Sequence, residues 1–265
     1  EVLKIDVAID RGSLSQYARL FVSSVLPSDF KRVLYLDCDI IIAQSLEELW
    51  NLDMHGKTIA ALKDAFSKWY RVNVDLEPND IMFNSGVMLI DLDKWKEHKV
   101  EERLMKFISE KNGKIQQGDQ GALNAVLTYD TYCFEPRFNS VTIFYDFNYK
   151  EMMIYRKPPK GFYTEAQIRE ATEHPVIIHF TTSFLSRRPW IEGCQHRYLG
   201  EWKKYKDMSP WKNAPIWKYA KLGGIRGWYI ESIEKIPRRM TIRLSGVLQA
   251  FGRPWINRIK YKIKV

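Results

Sequence analysis

Two aspartates, Asp37 and Asp39, lie one residue apart inside an apolar run that extends from residue 32 to residue 42. An unpaired buried carboxylate costs several kcal/mol, so the pair must lie at a strand end, within reach of a cation, a basic side chain or water. Side chains alternate along a strand, so both carboxylates are expected on one side and Cys38 on the other, pointing into the protein. This geometry suits a divalent metal, although acidic side chains at strand ends also cap loops or pair with lysines.

His179 offers a third ligand for the same metal, because it lies near the end of a second apolar run, residues 175–180. A neutral imidazole and two carboxylates make a mixed nitrogen and oxygen set, which suits Mn²⁺ better than Ca²⁺. Mg²⁺ is the other divalent ion that we consider. The competing interpretation is a structural histidine, which is common at strand ends.

A second group of polar residues could hold a hydroxyl-rich ligand. Asn84 precedes a predicted strand, and Asp119 and Gln120 begin a predicted helix. Carboxylates and amides offer several hydrogen bonds each, as a sugar requires. Asp119 alone is also explained as a helix N-cap. Downstream, Arg187 and Arg188 carry fixed positive charge that suits a diphosphate, although exposed arginines are common.

These residues need a scaffold, and the hydrophobic pattern predicts alternating helices and strands. Helices are predicted over residues 13–26, from residue 91 to about residue 112, and over 119–127; strands are predicted over 33–36, 58–62, 86–91, 132–134 and 176–180. This alternation predicts an α/β fold with a mostly parallel sheet flanked by helices, in which ligands bind outside the carboxyl ends of the strands. Asp37, Asp39, Asp64 and His179 all fall at such ends.

Charge divides the chain into two parts. The net charge of the 265 residues is +9. Residues 197–265 hold 17 Lys and Arg against 4 Asp and Glu, whereas residues 1–196 hold 24 against 28. The strand signals stop at about the same point. We therefore predict one α/β domain over residues 1–196 and a basic, aromatic-rich C-terminal region over residues 197–265.

The C-terminal region admits three interpretations: a solvated appendage, a nucleic-acid-binding surface, or an element that lies at a membrane interface. No RNA- or DNA-binding signature is present, so no nucleic-acid partner is expected. The segment 240–265 mixes basic residues with apolar ones, as an interfacial element does. We therefore predict that this segment attaches to an anionic membrane surface; its apolar residues include Ile242, Leu244, Val247, Leu248, Phe251 and Trp255.

Cys38, Cys133 and Cys194 are scattered without a paired spacing, which argues against a disulfide framework and a thiolate zinc site. They are expected to be inert core thiols in a reducing compartment. The sequence contains no run of about 18 apolar residues, and its first ten residues do not resemble a secretory signal. These observations predict an intracellular chain.

Five motifs in order resemble the family 8 retaining glycosyltransferases, which include bacterial lipopolysaccharide galactosyl- and glucosyltransferases and glycogenin. The motifs are Tyr17-Ala18-Arg19-Leu20, Tyr35-Leu36-Asp37-Cys38-Asp39, Phe83-Asn84-Ser85-Gly86-Val87-Met88-Leu89-Ile90, Asp119-Gln120-Gly121-Ala122-Leu123-Asn124 and His179-Phe180. Their order and spacing match the family over about residues 13–196. The resemblance implies a nucleotide-binding α/β fold of glycosyltransferase A type and a UDP-hexose donor held with Mn²⁺.

The resemblance also implies a role for each matching position. The metal ligands would be Asp37, Asp39 and His179. The donor sugar would be held by Asp64, Asn84, Ser85, Asp119 and Gln120, with Asp119 and Gln120 as the catalytic residues. The nucleotide and its diphosphate would contact Arg19, Asp37, Cys38, Asp39, Thr182 and Arg188. Thr182 stands where the family has glycine, and Arg188 where it has lysine. Family members begin with further uridine-binding βα units, which we expect to be missing from this sequence.

The predicted function is a metal-dependent retaining transfer of glucose or galactose from a UDP-sugar to a saccharide or lipid-linked glycan acceptor, in cell-surface polysaccharide or lipopolysaccharide synthesis. The enzyme would be cytoplasmic and peripheral on the inner face of the cell membrane. An amide is a poor nucleophile, so we hypothesise a same-face substitution in which the Gln120 carbonyl stabilises an oxocarbenium-like ion. Two alternatives remain: a non-catalytic module that binds nucleotide-sugars or glycans, and a metal-dependent nucleotidyltransferase.

Overall fold

The computed structural model describes residue 7 and residues 14–219 and 236–261 of the chain. A 3-10 helix, Leu14–Phe21, runs directly into the short helix α1, Val22–Val25. Together they form the helix predicted over residues 13–26, although most of it is 3-10 rather than α; residue 13 lies outside the described residues.

Seven strands occur in the described residues: β1 (Arg32–Leu36), β2 (Ile40–Ile42), β3 (Ile59–Lys63), β4 (Phe83–Asp91), β5 (Thr131–Cys133), β6 (Ser140–Val141) and β7 (Ile177–His179). They form two sheets, with the order β1-β4-β3-β5 in the first and β2-β7-β6 in the second. The chain crosses from the first sheet to the second through residues 37–39, between β1 and β2.

The predicted α/β fold is confirmed, but its sheets are mixed rather than mostly parallel. β4 is antiparallel to both β1 and β3, and β2 is antiparallel to β7. The parallel pairs are β3 with β5 and β6 with β7. Lys63 at the end of β3 pairs with Phe83 at the start of β4, so the chain re-enters the sheet at the edge where it left. Alternating strands and helices predict parallel neighbours, because a parallel pair requires a crossover to the opposite edge of the sheet. The pattern therefore gives no sign that β4 runs antiparallel to β3.

The first sheet is buried on both faces, and β4 shows this best. Val87 and Leu89 belong to one hydrophobic cluster, whereas Met88 and Ile90 belong to a second cluster on the opposite face. A strand covered on both faces has a continuous apolar sequence, which explains why residues 86–91 are easy to recognise. This rigid central strand carries Asn84, Ser85 and Gly86 near its start.

Helices surround these sheets. They are α2 (Glu47–Trp50), α3 (Lys68–Val72), α4 (Leu92–Glu97), α5 (Val100–Glu110), α6 (Asp119–Leu127), α7 (Ile143–Asp146), α8 (Tyr149–Arg156), α9 (Glu165–Glu173) and α10 (Leu199–Met208). Short 3-10 helices cover Thr128–Asp130 and Pro136–Asn139. The helix predicted up to residue 112 is divided into α4 and α5 by Lys99, whose positive φ of 50° interrupts the helical backbone. The predicted helix over residues 119–127 is confirmed as α6.

Residues 238–261 form one long helix, which we call the C-terminal helix. It consists of Arg238–Val247, a π-helical turn at Leu248–Gly252, and Arg253–Tyr261. One face is buried, and Ile242 on that face joins the main hydrophobic cluster. A Cβ on Gly246 would lie 2.7 Å from the carbonyl oxygen of Ile154, so the helix approaches α8 closely. The C-terminal helix therefore packs against the α/β body, and the domain boundary near residue 196 stays a prediction.

A polar contact region, which we call the seam, fastens this helix to the body. On the body it consists of Ser67, Tyr70, Asn73 and Gln116; on the helix it consists of Gln249, Ala250, Pro254, Asn257 and Arg258. Pro254 has no N–H to donate to the Ala250 carbonyl one turn earlier. The buried Ser67 hydroxyl donates to that carbonyl instead, at 2.6 Å. Side chains of the body thus satisfy backbone carbonyls of the helix, and side chains of the helix bond to side chains of the body.

Among the described residues, none of the helices combines the length and the apolar character that crossing a membrane would require.

Candidate active site

Strand register brings Asp37, Asp39 and His179 together. The backbone N–H of Asp37 donates to the Gly86 carbonyl at 2.8 Å, which fixes the end of β1 against β4. Ile40 pairs with His179 across the second sheet, so Asp39 lies beside the imidazole. The two aspartates therefore lie where the two sheets meet, and not within one strand.

The three side chains fit a divalent metal. One ligand atom from each of Asp37, Asp39 and His179 can be chosen so that all three lie within 4.8 Å of one another. His179 Nε2 lies 3.1 Å from Asp39 Oδ1 and 3.9 Å from Asp37 Oδ2. Two carboxylate oxygens and one imidazole nitrogen, converging on one point, suit Mn²⁺ or a similar ion. The structure thus brings together the set predicted from the sequence.

Cys38 does not point into the protein, so the prediction of an inert core thiol is wrong for this residue. Its thiol is exposed, and Cys133 and Cys194 are half-buried. β1 ends at Leu36 and β2 begins at Ile40, so the residues between them form a bend that does not follow strand alternation. The assignment of Cys38 to the diphosphate site stays a prediction.

Arg19 connects the aspartate pair to the start of α6. Its guanidinium lies 2.9 Å from Asp37 Oδ1 and 3.0 Å from Asp119 Oδ2, and it donates to the Ser85 carbonyl at 2.8 Å. Gly118, not Asp119, is the N-cap of α6, so the capping interpretation of Asp119 is wrong. A planar guanidinium holds several donors in a fixed geometry, so it orients two carboxylates more rigidly than a lysine ammonium would.

Tyr35 supports this arrangement, although its position in the sequence does not predict a role of its own. Arg19 lies over the Tyr35 ring, 4.4 Å from its centre, and the Tyr35 hydroxyl donates to Asp37 Oδ1 at 2.9 Å. Burial is the main cause that raises the pKa of Tyr35, so the hydroxyl keeps its proton and remains a donor. Asp37 is therefore held by two donors on the side away from His179.

The residues predicted to hold the donor sugar lie on β4 and α6. Gln120 Oε1 accepts from the backbone N–H of Ser85 at 3.2 Å, which joins the start of α6 to β4. Asn84 Oδ1 accepts from the Gly86 N–H at 3.0 Å. Asn84 Nδ2 has no hydrogen-bond partner within the described part of the chain, so it can donate to a ligand. The structure places these residues side by side.

Asp64 directly follows β3, and its side chain bonds to other residues than this group does. Its Oδ1 accepts from the Phe66 N–H at 3.1 Å. Burial raises the pKa of Asp64, even though the charges of Arg156 and Arg71 oppose that effect. Leu62 pairs with Asn84 across β3 and β4, so the register puts Asp64 near the same edge of the sheet. A half-buried carboxylate with a raised pKa is typical of a ligand-binding position.

Arg188 completes the charge pattern on the other side of the metal site. It lies 3.2 Å from Asp39 Oδ2 and donates to Thr182 Oγ1 at 3.0 Å, so the predicted diphosphate residues are adjacent. Burial by itself raises the pKa of Asp39, but His179 and Arg188 outweigh it, and the pKa lies below its usual value. Three carboxylates, counting Asp119, thus face two arginines. A bound divalent cation would make the cluster positive overall, as an anionic diphosphate requires.

Two further residues shape the site without having been predicted to do so. A Cβ on Gly86 would lie 2.3 Å from His179 Cε1 and 2.9 Å from Asp37 Oδ2, so only glycine leaves room for both ligands. Asn139, which is completely buried, lies 2.9 Å from His179 Nδ1 through its Oδ1. In the sequence, Gly86 is one glycine at the start of the predicted strand, and Asn139 is one asparagine between Phe138 and Ser140. Neither has a signal of its own, because their partners are distant in the chain.

The model of the family "Glycosyl transferase family 8" matches residues 5–193, which is most of the chain. The chain belongs to this family. General stress protein A of Bacillus subtilis is 29% identical over 221 residues, which cover 80% of this chain and 73% of that protein. The lipopolysaccharide 1,2-glucosyltransferase of Escherichia coli is 26% identical over 205 residues, or 76% of this chain and 56% of that enzyme.

Solved structures of glycosyltransferases share the fold. The galactosyltransferase LgtC, in complex with donor and acceptor sugar analogues, superposes with a TM-score of 0.62 at 24% identity, over 78% of this chain and 71% of that one. This likeness establishes a glycosyltransferase A-type fold. Coverage of the relatives varies widely: the chain spans only 22% of glycosyltransferase GlyD of Streptococcus pneumoniae, at 30% identity.

Proposed function

We propose that this chain is a metal-dependent retaining hexosyltransferase, which moves glucose or galactose from a UDP-sugar to a saccharide or lipid-linked glycan acceptor. The convergence of Asp37, Asp39 and His179, with Arg19 linking them to Asp119, carries the proposal. The likeness to a lipopolysaccharide 1,2-glucosyltransferase supports an acceptor from a cell-surface polysaccharide or lipopolysaccharide.

In this proposal each residue binds or orients one part of the donor. Asp37, Asp39 and His179 would hold Mn²⁺, or Mg²⁺ in its place, and the ion would neutralise charge on the departing diphosphate. Arg188 and Thr182 lie next to Asp39, where they would contact the same phosphates. Asn84, Ser85 and Asp64 would bind sugar hydroxyls, because amides, hydroxyls and carboxylates each offer more than one hydrogen bond.

Gln120 and Asp119 would serve the reacting carbon. The Gln120 carbonyl oxygen accepts from the Ser85 N–H at 3.2 Å and from the Ser85 hydroxyl at 3.4 Å. The hydroxyl can rotate away, which would free a lone pair to face a developing positive charge. Because an amide is a poor nucleophile, we propose a same-face substitution in which the leaving phosphate accepts the proton of the acceptor hydroxyl. Mass spectrometry of the enzyme mixed rapidly with donor tests this step. A sugar covalently attached to Asp119 or Gln120 would contradict it.

A panel of UDP-sugars with Mn²⁺ tests the activity itself, with release of UDP as the measured quantity. The wild-type chain should release UDP from UDP-glucose or UDP-galactose, and Asp39→Asn should lose about 100-fold or more of that rate because a metal ligand is lost. Asp93→Asn is the matched control, since Asp93 is an exposed carboxylate paired with Lys31 far from the site. Equal rates in wild type and Asp39→Asn, or no release from any donor, would reject the proposal.

We also propose that the C-terminal helix attaches the enzyme to an anionic membrane surface. Its solvent-facing side carries a stripe of large apolar residues, which we call the apolar stripe: Met240, Leu244, Val247, Leu248, Phe251, Trp255 and Ile259. Exposed Arg239, Arg243 and Arg253 flank it, and residues 238–261 contain no acidic residue. A helix with an apolar face, cationic flanks and a buried opposite face suits an interfacial position on anionic lipid.

Flotation with vesicles, with and without anionic lipid, tests this attachment. A double variant, Leu244→Gln with Trp255→Gln, should reduce the bound fraction on anionic vesicles. Val25→Gln should leave binding unchanged, because Val25 is equally apolar and exposed but lies on α1. Point variants are preferable to truncation, because Ile242 of the same helix belongs to the core. Equal binding by wild type and the double variant would reject the membrane contact.

A further inference from the structure

A chain of hydrogen bonds connects the backbone of β4 to the imidazole of His179. The Gly86 N–H donates to Asn84 Oδ1 at 3.0 Å, so this atom of the Asn84 amide must be the oxygen. Asn139 lies 3.0 Å from the same oxygen. Because that oxygen can only accept, Asn139 must present its Nδ2 group to it.

The orientation of the Asn139 amide then determines which nitrogen of His179, at the other end of these hydrogen bonds, carries the proton. With Nδ2 directed to Asn84, Asn139 Oδ1 faces His179 Nδ1 at 2.9 Å. A carbonyl oxygen cannot donate, so His179 must carry a proton on Nδ1. Its Nε2 atom, which lies 3.1 Å from Asp39 Oδ1, is then the nitrogen that offers its lone pair to a metal.

Burial and neighbouring backbone make this arrangement rigid. Asn139 is fully buried and His179 is 3% exposed, so water cannot readily replace either partner. Asn139 directly precedes β6, and Val141 in β6 pairs with His179 in β7. The amide, at the end of the 3-10 helix that leads into β6, and the imidazole, on β7, are therefore held by neighbouring elements between the proposed metal ligands and Asn84.

We propose that Asn139 is a positioning residue that sets the tautomer and ring orientation of His179 and, through its other end, the orientation of Asn84. This inference rests on the proposed metal-dependent function. In this proposal, the neutral side chain of Asn139 aligns the metal site with the donor-sugar site. Partners of this kind typically account for about 10- to 100-fold in metal affinity.

The tautomer can be read directly from the nitrogen chemical shifts of His179, one of only five histidines in the chain. Spectra of the full chain with diamagnetic Mg²⁺ should show a protonated Nδ1 and an unprotonated Nε2. The opposite tautomer in the wild type would overturn the proposal, whether or not any variant folds.

Two variants distinguish the roles of the two hydrogen bonds of the Asn139 amide, one to His179 and the other to Asn84. Asn139→Leu removes both hydrogen bonds and should weaken Mn²⁺ binding by about 10- to 100-fold, measured by calorimetry without donor. Asn139→Asp keeps an acceptor for the Nδ1 proton, so Mn²⁺ binding and the tautomer should be preserved. The KM for the UDP-sugar should rise in Asn139→Asp, because the carboxylate cannot donate to Asn84.

Asn73→Leu is the matched control, since Asn73 is equally buried but lies in the seam. It should reduce stability without changing Mn²⁺ affinity. Equal affinity in wild type, Asn139→Leu and Asn73→Leu would overturn the positioning role. Failure of the wild type to bind Mn²⁺ or Mg²⁺ would instead reject the proposed metal dependence, and normal metal binding without UDP release would reject the proposed reaction alone.

Discussion

The candidate active site and the seam use similar residues for different purposes: the first is suited to binding a ligand, and the second holds the C-terminal helix to the body. Both contain buried amides, a hydroxyl and arginine. In the seam, Asn73 donates to Gln116 at 2.6 Å and to the Pro254 carbonyl at 2.9 Å, and it accepts from Arg258 at 2.6 Å, so its amide is fully used. In the active site, three carboxylates face two arginines and Asn84 keeps its Nδ2 group available. The Asn73 amide, which holds the seam together, is thus satisfied within the protein, whereas the Asn84 amide keeps a donor available for a ligand.

Gly86→Ala should have the largest effect on activity, and it tests the arrangement of the candidate active site. The new Cβ would overlap His179 Cε1 and crowd Asp37 Oδ2, displacing two metal ligands. A displacement of about 1 Å in such a site can cost about 100-fold in rate. UDP release and Mn²⁺ affinity should both fall. Gly200→Ala is the control, because nothing lies within 4 Å of its Cβ position in α10. Unchanged Mn²⁺ affinity in Gly86→Ala would contradict the prediction.

Ser67→Ala should affect stability and not chemistry. It leaves the Ala250 carbonyl buried without a donor, which should cost about 1–3 kcal/mol in the free energy of unfolding. The loss should appear in urea denaturation, while UDP release per folded molecule stays unchanged.

A second change in the same seam tests whether the Ser67 hydroxyl replaces the N–H that Pro254 lacks. Pro254→Ala restores a backbone N–H that can donate to Ala250, so it should recover part of the stability lost in Ser67→Ala. A double-mutant cycle measures this coupling. Additive effects of the two changes would show that the hydroxyl does not replace the missing N–H.

Asp64→Asn should separate function from stability. Burial raises the pKa of Asp64, so the folded state favours the protonated form and the ionised carboxylate weakens folding near neutral pH. The amide should therefore raise Tm at pH 7 while reducing UDP release. The gain should shrink as the pH falls, and should vanish below the ordinary aspartate pKa of about 3.9, where both states are protonated. A lower Tm at pH 7 would contradict this sign.

Trp255→Gln should have the smallest effect on stability. Trp255 is 64% exposed although it lies on the same helix as the seam, so the free energy of unfolding should change by less than about 0.5 kcal/mol. A larger loss in thermal denaturation would mean that the apolar stripe has a partner within the chain.

The sequence pointed to the candidate metal ligands because carboxylates inside an apolar run are costly, and His179 stood out because it also lies at the end of such a run. The family motifs supplied Arg19, Asn84, Asp119 and Gln120, which the structure brings together. The direction of β4 could not be predicted, because it depends on where the chain re-enters the sheet. Cys38 was misplaced because strand alternation was extended past Leu36 into a bend.

The seam and Asn139 illustrate a second limit. Ser67 and Ala250 are separated by 183 residues, and His179 and Asn139 by 40 residues. A serine or an asparagine is unremarkable in its local sequence, and only the folded chain reveals its partner. The face of the C-terminal helix that packs on the body was hidden for the same reason, since both of its faces contain apolar residues.

The crossing of residues 37–39 from the first sheet to the second has a consequence for the order of assembly. Asp37 is anchored to Gly86 in one sheet, and Asp39 meets His179 in the other. These pairings close long loops, which form slowly during folding. The metal-binding arrangement can therefore exist only after both sheets have formed and docked. Under the proposed function, a metal ion would therefore bind late, after the two sheets have docked.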